Sequence, residues 1–508
     1  MAFTRFLTAL LFSSALGATS FAAVVRGTVF EDRNGNGTRD GGEYGIANVQ
    51  VSDGATIVET DAEGNYELNA TDHALVFVIK PRGWSVPLSP TKRPRFYASP
   101  STGGMTDFAL TKREEPDRFR VLLLTDPQPV SPKELDYFDR TFAQKLAGTK
   151  DFAFAVTLGD IVYDRPELYL PFDDSMAKVG IPSYNIIGNH DLNLGATRER
   201  DAMASFELRY GPTTYAFHYG GALFVALNDV RILGGMRYMG GLRDDQFAFL
   251  TALLRSTPVD EPIVVMMHIP WFYPNPTNAE TFRKADRARL FAALQDRPHV
   301  LFLSGHTHYQ RHYFYGADDD WHGAKPLEDY NVAAACGSYW GGPPDNSGIP
   351  LATMSDGTPN GYGILTIAGT TMRTEYRAAR LPADYQIGLH APVAIKRSAG
   401  YISYYANVFN AHEGWTVESR IDDHPWNPMR RVIDWDPSYA KMYLDQDTMG
   451  TPLATPRLPD PTVCYHLWRN YFPPDLGAGA HVIEVRATDP TGAVCKATQG
   501  VQVVELAK

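Results

Sequence analysis

Cysteine is scarce in this chain, with three residues in 508, so no dense disulfide framework holds the fold together. Cys464 and Cys495 both lie in the C-terminal region and are placed to pair across adjacent strands, whereas Cys336, inside NVAAAC, is expected to be a small buried hydrophobe. Positive charge is also in deficit. A formal net charge of -11 argues against a non-specific nucleic-acid binder, which needs a basic surface. Long apolar runs are missing except at the start, where FLTALLFSSALGA follows a short basic stretch and precedes Ser20-Phe21-Ala22. That run is short for a membrane span and ends on a small-x-small pattern, so residues 1–23 read as a secretory signal peptide. The expected location is periplasmic or secreted, with no transmembrane segment and no low-complexity tract. What remains is ordinary for a globular protein, with 44% hydrophobic and 21% charged residues, and the length allows roughly two to four domains.

The pattern changes along the chain. Residues 24–112 alternate as short strands, VVRGTVF, ANVQVSD and GNYELNA, between Gly, Asn and Asp turns. The charged stretch TKREEPDR then marks a boundary. From 117 to 380, apolar strands alternate with amphipathic helices, among them SPKELDYFDRTFAQKLAG, ATRERDAMASFELRYG, RDDQFAFLTALLRST and AETFRKADRARLFAALQD. This predicts an α/β body with helices outside a mostly parallel or mixed sheet. Residues 381–508 return to β-like alternation and are expected to form a second small β-sandwich.

Chemistry concentrates in five clusters of that middle region: Asp126-Pro127-Gln128, Gly159-Asp160, Gly188-Asn189-His190-Asp191, Met267-His268 and Gly305-His306-Thr307-His308. Each follows an apolar run, RVLLL, FAFAVTL, SYNII, PIVV or HVLFLS. Polar residues at the carboxyl ends of neighbouring strands converge on one crevice in open α/β sheets. The residue types suit a pair of cations about 3.5–4 Å apart, which requires a bridging carboxylate. Asp160 is the natural bridge, because Gly159 lets the backbone turn sharply at the strand end. Imidazole, carboxylate and amide ligands together suit Fe, Mn or Zn better than Ca or Mg.

The ordered set resembles the calcineurin-like metallophosphoesterases, whose pattern is Asp-x-His, Gly-Asp, Gly-Asn-His-Asp/Glu, His and Gly-His-x-His. The resemblance covers about half of the chain. It implies a four-layer αββα sandwich with two metals, the first held by Asp126, Gln128 and His308, the second by Asn189, His268 and His306, and Asp160 shared. It further implies that a bridging hydroxide attacks phosphorus, that His190 contacts the phosphoryl group and protonates the leaving oxygen, and that Asp191 orients His190. One position departs from the pattern, since Gln128 stands where His is usual and offers a weaker, neutral ligand. Tyr163, three residues after Asp160, matches the tyrosinate of purple acid phosphatases, but those enzymes have Asp-x-Gly in the first cluster. Both a ligand role and simple packing beneath the site stay open for it.

In the loop PWFYPNP, Trp271 and Tyr273 are expected to lie over the pocket as substrate contacts, and Arg311 is a candidate charge partner. No Arg or Lys falls inside the five clusters, which leans the expectation toward phosphodiesters, from small or envelope-derived substrates. Near the N-terminus, residues 32–43 match a twelve-residue calcium loop, with Asp32, Asn34, Asn36, Thr38, Asp40 and Glu43 as oxygen donors for one structural Ca. The full arrangement resembles exported bacterial members of the family that carry N- and C-terminal accessory domains, through YHLWRNYFPPDLGAGAHVIEVRATDPTG in the C-terminal part and PDNSGIPLATMSDGTPNGYG at the end of the middle region. Two alternatives remain: a phosphomonoesterase of the acid phosphatase type, and a non-catalytic envelope-binding protein built on a degenerate enzyme core.

Overall fold

Alternation along one strand shows how the middle of the chain is layered. In Arg118–Leu124, Val121 and Leu123 point into one buried cluster while Leu122 and Leu124 point into another. A strand buried on both faces reads as a continuous apolar run, which is why RVLLL shows no polar alternation. The computed structural model describes residues 23–70, 74–100, 105–234, 237–273, 281–396, 401–449 and 455–505.

Two sheets build the body. The first runs in the order Ser183–Ile186, Phe154–Leu158, Arg118–Leu124, Gly361–Ala368, Thr371–Ala378, and its first three strands are parallel. The second runs Tyr215–Tyr219, Ala222–Ala226, Ile263–Met266, Val300–Ser304, Leu327–Asn331, Arg311–Tyr315, with a parallel centre and an antiparallel strand at each edge. Their facing residues share one apolar cluster, in which Phe154 touches the rings of Tyr184, Phe217, Tyr219 and Phe224. Helices Pro132–Phe138, Tyr169–Val179 and Glu199–Tyr210 pack on the Leu122 and Leu124 side of the first sheet. Asp244–Ser256 and Lys284–Leu294 contribute Leu250, Leu253, Leu290 and Phe291 to the shared cluster. Helix Tyr169–Val179 was not apparent in the sequence, because Pro166 and Pro171 break the reading at its start. No helix among the described residues is long and apolar enough to cross a membrane. The leader read at residues 1–23 lies outside them except for Ala23, which opens the strand Ala23–Glu31.

Flanking β-structure sits at either end. Two four-stranded sheets precede residue 113, and sheets of four and five strands follow residue 386, with one helix, Pro437–Asp445, inserted. Cys464 lies in the four-stranded sheet of the second pair and Cys495 in the five-stranded one, and both are free thiols. The pairing that the sequence allows is therefore not made: the two cysteines belong to different sheets rather than to adjacent strands of one.

The charged boundary stretch is not a solvated linker. Glu115 is buried and holds Lys80 Nζ at 2.6 Å, while the same ammonium donates to the carbonyls of Trp84 at 2.8 Å and Pro81 at 3.2 Å. The second carboxylate oxygen accepts from the backbone N–H groups of Gly83 and Gly220. One ion pair thus ties the N-terminal module, the boundary and the turn after Tyr215–Tyr219. Burial pulls the Lys80 ammonium below its ordinary range, partly offset by Glu115. Removing one member of a buried pair typically costs about 3–5 kcal/mol. Glu115→Ala should lower denaturant stability by about that amount and expose the boundary to limited proteolysis; a loss below about 1 kcal/mol would show that the pair is not what docks the module.

Candidate metal centre

The clusters sit on strained backbone. Asp126, Gln128, Asp160, His306 and His308 have φ of 49°, 43°, 49°, 73° and 55°, a left-handed conformation that costs a non-glycine residue about 1–3 kcal/mol. Such strain persists only where the surroundings over-determine it. Here the clusters lace each other together: Asp126 N–H donates to the Gly159 carbonyl, Gln128 N–H to that of Asp160, Gly305 N–H to that of His268, and His306 N–H to Asp126 Oδ2 at 2.9 Å. Glycine is required where the chains touch. A Cβ on Gly188 would stand 2.2 Å from Asp160 Oδ1, and one on Gly159 would stand 2.5 Å from His268 Nδ1.

Asp160 is the hub of the side-chain geometry. Its Oδ2 accepts from Gln128 Nε2 at 2.6 Å and lies 3.3 Å from His268 Nε2, while Oδ1 accepts from His190 N–H at 2.8 Å. His268 Nε2 also meets Asn189 Oδ1 at 3.1 Å. Ligating atoms of Asp160, His268 and His306 all lie within 4.8 Å of one another. On the other side of Asp126, His308 Nε2 is 3.4 Å from Oδ1. The outer ring nitrogens are fixed by backbone carbonyls, His268 Nδ1 by Leu158 and His308 Nδ1 by Gly337, each at 2.8 Å. This turns both Nε2 atoms toward the carboxylates, as in metal sites where outer partners set the tautomer. Asp126 Oδ1 is buried and has no hydrogen bond. Buried polar atoms are almost always paired, so a buried carboxylate oxygen with no formed hydrogen bond, 3.4 Å from an imidazole nitrogen, suits a metal cation.

Electrostatics agree. Burial pushes the Asp160 carboxyl up, but the neighbouring His268 outweighs it and holds the group below the usual carboxylate range. Burial lowers the His268 imidazole, and Asp160 more than reverses this, raising it to about 10. His306 is pushed down to about 4 by burial and then by His268. Asp160 and His268 thus hold each other in their charged forms, and the crowding of His306 against His268 opposes a second imidazolium.

The structure gives His190 a different carboxylate from the one expected. Its Nδ1 meets Asp164 Oδ1 at 2.9 Å, and its ring stacks on Tyr163 at 3.9 Å. Asp191 instead accepts from the backbone N–H groups of Ile161 and Gly188 and from the Tyr169 hydroxyl. It locks two ligand loops together and does not face the His190 ring. Burial, then Asp160, pushes its carboxyl up to about 7.

Two expected substrate contacts also move. Trp271 is fully buried, stacks on Phe282 and donates Nε1–H to Asp229 Oδ2 at 3.1 Å, so it cannot touch a ligand. Arg311 lies with its guanidinium over Tyr465 at 3.6 Å, Phe272 at 4.7 Å and Tyr313 at 4.8 Å, a brace to the C-terminal module and not a charge partner in the site. Tyr273 packs on Phe282, and its carbonyl accepts from Arg311. In their place, Tyr238 stands edge-on to His306 at 5.8 Å and Tyr339 stacks on His308 at 4.3 Å. Asp229 was missed as well: its carboxylate accepts from the N–H groups of His268 and Ile269. Its signal was there to read, because GALFVALND is another apolar run ending in an acid.

In the N-terminal loop, Asp40 Oδ2 accepts from Asn34 at 2.8 Å and Asn36 at 2.7 Å, and these bonds hold the Asp40 carboxyl below its usual range. Asp32 accepts from the N–H groups of Gly35, Asn36 and Gly37, and Glu43 from those of Arg33 and Asp40. Thr38 N–H donates to Asn36 Oδ1.

Comparison with known proteins adds a resemblance at both ends of the chain. Residues 33–113 match the pattern described as N terminal of Calcineurin-like phosphoesterase, and residues 329–494 the one described as C terminal of Calcineurin-like phosphoesterase. No curated protein matches by sequence. Among solved structures, a purple acid phosphatase from yellow lupin (Lupinus luteus) seeds aligns at 14% identity and a TM-score of 0.39, over 70% of this chain and 66% of that one, just under two thirds of its length. A cold-active protein-tyrosine phosphatase of a psychrophilic Shewanella aligns at 13% identity and a TM-score of 0.22, over 65% of this chain and 99% of that one. Scores at this level establish neither shared fold nor shared chemistry.

Gly188 has φ of -110° and ψ of 179°, extended backbone that alanine adopts freely, so the penalty of substitution is steric, against both the backbone N and the Oδ1 of Asp160, each 2.2 Å from an added Cβ. Gly188→Ala should fold with unchanged circular dichroism yet bind transition metal roughly 10–100-fold more weakly, the usual scale for displacing a ligand through its support. Unchanged affinity in a chelator titration would remove Asp160 from the ligand set.

Proposed function

We propose that this chain, a calcineurin-like phosphoesterase bearing the N- and C-terminal segments of that family, is a phosphate-ester hydrolase with a dinuclear centre. The orphaned, buried Asp126 Oδ1 is the observation that carries the reading. Asp126, Gln128 and His308 would hold one ion, Asn189, His268 and His306 the other, with Asp160 shared. Gln128 must then turn its amide oxygen, which now faces the Cys336 thiol, toward the cation. The donor set suits Fe, Mn or Zn, and such ions would supply the charge that activates water and neutralises the phosphoryl oxygens.

The remaining steps belong to the chain itself. Oxygen of a water molecule bonds to phosphorus as the ester P–O bond breaks, the leaving oxygen takes a proton from His190 Nε2, and one proton of the attacking water restores that imidazole while the other stays on the phosphate product. Asp164, on Nδ1, fixes the ring orientation that points Nε2 at the leaving oxygen. Tyr163 stacked on the same ring limits its rotation. Among the described residues no Lys or Arg side chain is paired with the seven proposed ligands, and Arg311 is engaged elsewhere. This favours phosphodiesters, which carry one negative charge less than monoesters.

The same reading takes residues 24–112, 117–380 and 381–508 as accessory, catalytic and accessory domains, the catalytic one a four-layer αββα sandwich, in a protein exported to the periplasm or beyond. The loop at 32–43 would bind one structural calcium, supported by the convergence of Asn34, Asn36 and Asp40.

Two outcomes follow. His190→Ala should keep both metals and slow hydrolysis of bis-p-nitrophenyl phosphate by about 10²–10⁴-fold; loss of metal would instead make His190 a ligand. Calcium at 100 times its dissociation constant should stabilise the protein by about 2.7 kcal/mol in thermal unfolding, and Asp40→Ala should abolish that gain. An equal gain in the variant would rule the loop out.

A further inference from the structure

After Ala222–Ala226 the chain leaves the second sheet and forms a separate hairpin, Val230–Gly234 against Arg237–Gly240, with Ile232 opposite Tyr238. A lone two-stranded hairpin is marginal in water, so its base must be held. Arg231 pairs with Glu199 at 2.7 Å and donates to the Leu242 carbonyl at 2.9 Å. Gly240 N–H donates to the Thr281 carbonyl, and its own carbonyl accepts from Arg283 N–H. The arms therefore project from a fixed base.

They project over the proposed reaction centre. Tyr238 stands against His306, and Ile232, Arg237 and Tyr238 close one side of a small pocket whose other side includes His190, Asn189 and Asp164. Leu192 and Leu194 add an apolar wall. Arg237 is exposed and makes no ion pair with a described residue, whereas Asp164, across the pocket, is already engaged by His190. In a chain of net charge -11, an uncompensated arginine lining a pocket beside the proton donor is suited to an anion.

We infer that this hairpin is the leaving-group subsite, and that the preferred ester is one whose alcohol part carries a short apolar stretch ending in an anion, a carboxylate or a second phosphate. The inference rests on the hydrolase reading above. His190 protonates the leaving oxygen, so whatever that oxygen carries extends into the pocket His190 lines. Leu192, Leu194 and Ile232 take its apolar part, and Arg237 pairs with its far end.

The test uses the full-length, metal-loaded protein and two methyl aryl phosphodiesters that differ only in the leaving phenol, 4-hydroxyphenylacetate or its neutral carboxamide. Phenol release gives kcat/KM for each, and the readout is their ratio. The wild type should prefer the carboxylate by about tenfold, the scale of one charge-assisted hydrogen bond. Arg237→Ala should bring the ratio to about one, and Arg237→Glu should invert it. A phenol bearing a phosphate in place of the carboxylate tells the two anions apart: a higher kcat/KM than the carboxylate ester, lost in Arg237→Ala, assigns the second phosphate. A wild-type ratio near one, or a ratio preserved in both variants while activity falls on every ester, overturns the subsite. The second pattern would move Arg237 to the phosphoryl group itself. A metal-loaded wild type that cleaves neither these esters nor bis-p-nitrophenyl phosphate refutes the hydrolase reading, and the subsite with it.

Discussion

One buried carboxylate organises the middle of this molecule. Asp160 takes a hydrogen bond from Gln128, another from the backbone of His190, and lies beside His268. Those partners follow strands of both sheets, so the carboxyl ends of the two sheets are pinned at a single point. A charge in such a place is expensive unless compensated. His268 outweighs the burial cost and holds Asp160 below the usual carboxylate range, while His306 is pushed down to about 4 by burial and then by His268. The strained backbone at Asp160 and at Asp126, Gln128, His306 and His308 around it follows from that convergence, because each chain must turn back within a residue or two to bring its side chain inward.

Modules outside the core serve the same point at longer range. Gln310, two residues after His308, is fully buried and donates to the Phe409 carbonyl, while its own carbonyl faces His466 Nε2 at 3.1 Å. Its N–H donates to Asp356, which His466 also touches. Arg311 next to it is clasped by Tyr465. The loop carrying His306 and His308 is therefore clamped by the C-terminal module. At the other end, the buried Lys80 and Glu115 pair joins the N-terminal module to an edge strand of the second sheet. The C-terminal module thus restricts how the loop carrying His306 and His308 relaxes.

The strands, and the residues they present, could be read directly from the sequence because burial on both faces leaves runs such as RVLLL and HVLFLS with polar residues only at their ends. Spacing within a cluster was equally legible. What lay beyond reach depended on direction in space. Asp191 adjoins His190 in the chain, yet a one-residue step turns its side chain toward Ile161 and Gly188, and the contact falls to Asp164 from another loop. Trp271 reads as a loop aromatic, but Asp229 draws its indole N–H inward. Tyr238 and Arg237 carry no motif at all; only the fold brings their hairpin over the site. The cysteines failed for a similar reason, since proximity in sequence says nothing about which of two sheets a strand joins.

The central claim is that the donor atoms gathered around Asp160 hold two cations. Anomalous diffraction from crystals of the metal-loaded protein, collected on both sides of the Fe, Mn and Zn absorption edges, tests it most directly. The account predicts two anomalous peaks about 3.5–4 Å apart, with the Asp160 carboxylate between them, Asp126 Oδ1 and His308 on one, and His268 and His306 on the other. No anomalous peak, or an Asp160 still hydrogen-bonded to Gln128 beside a single ion elsewhere, would contradict it.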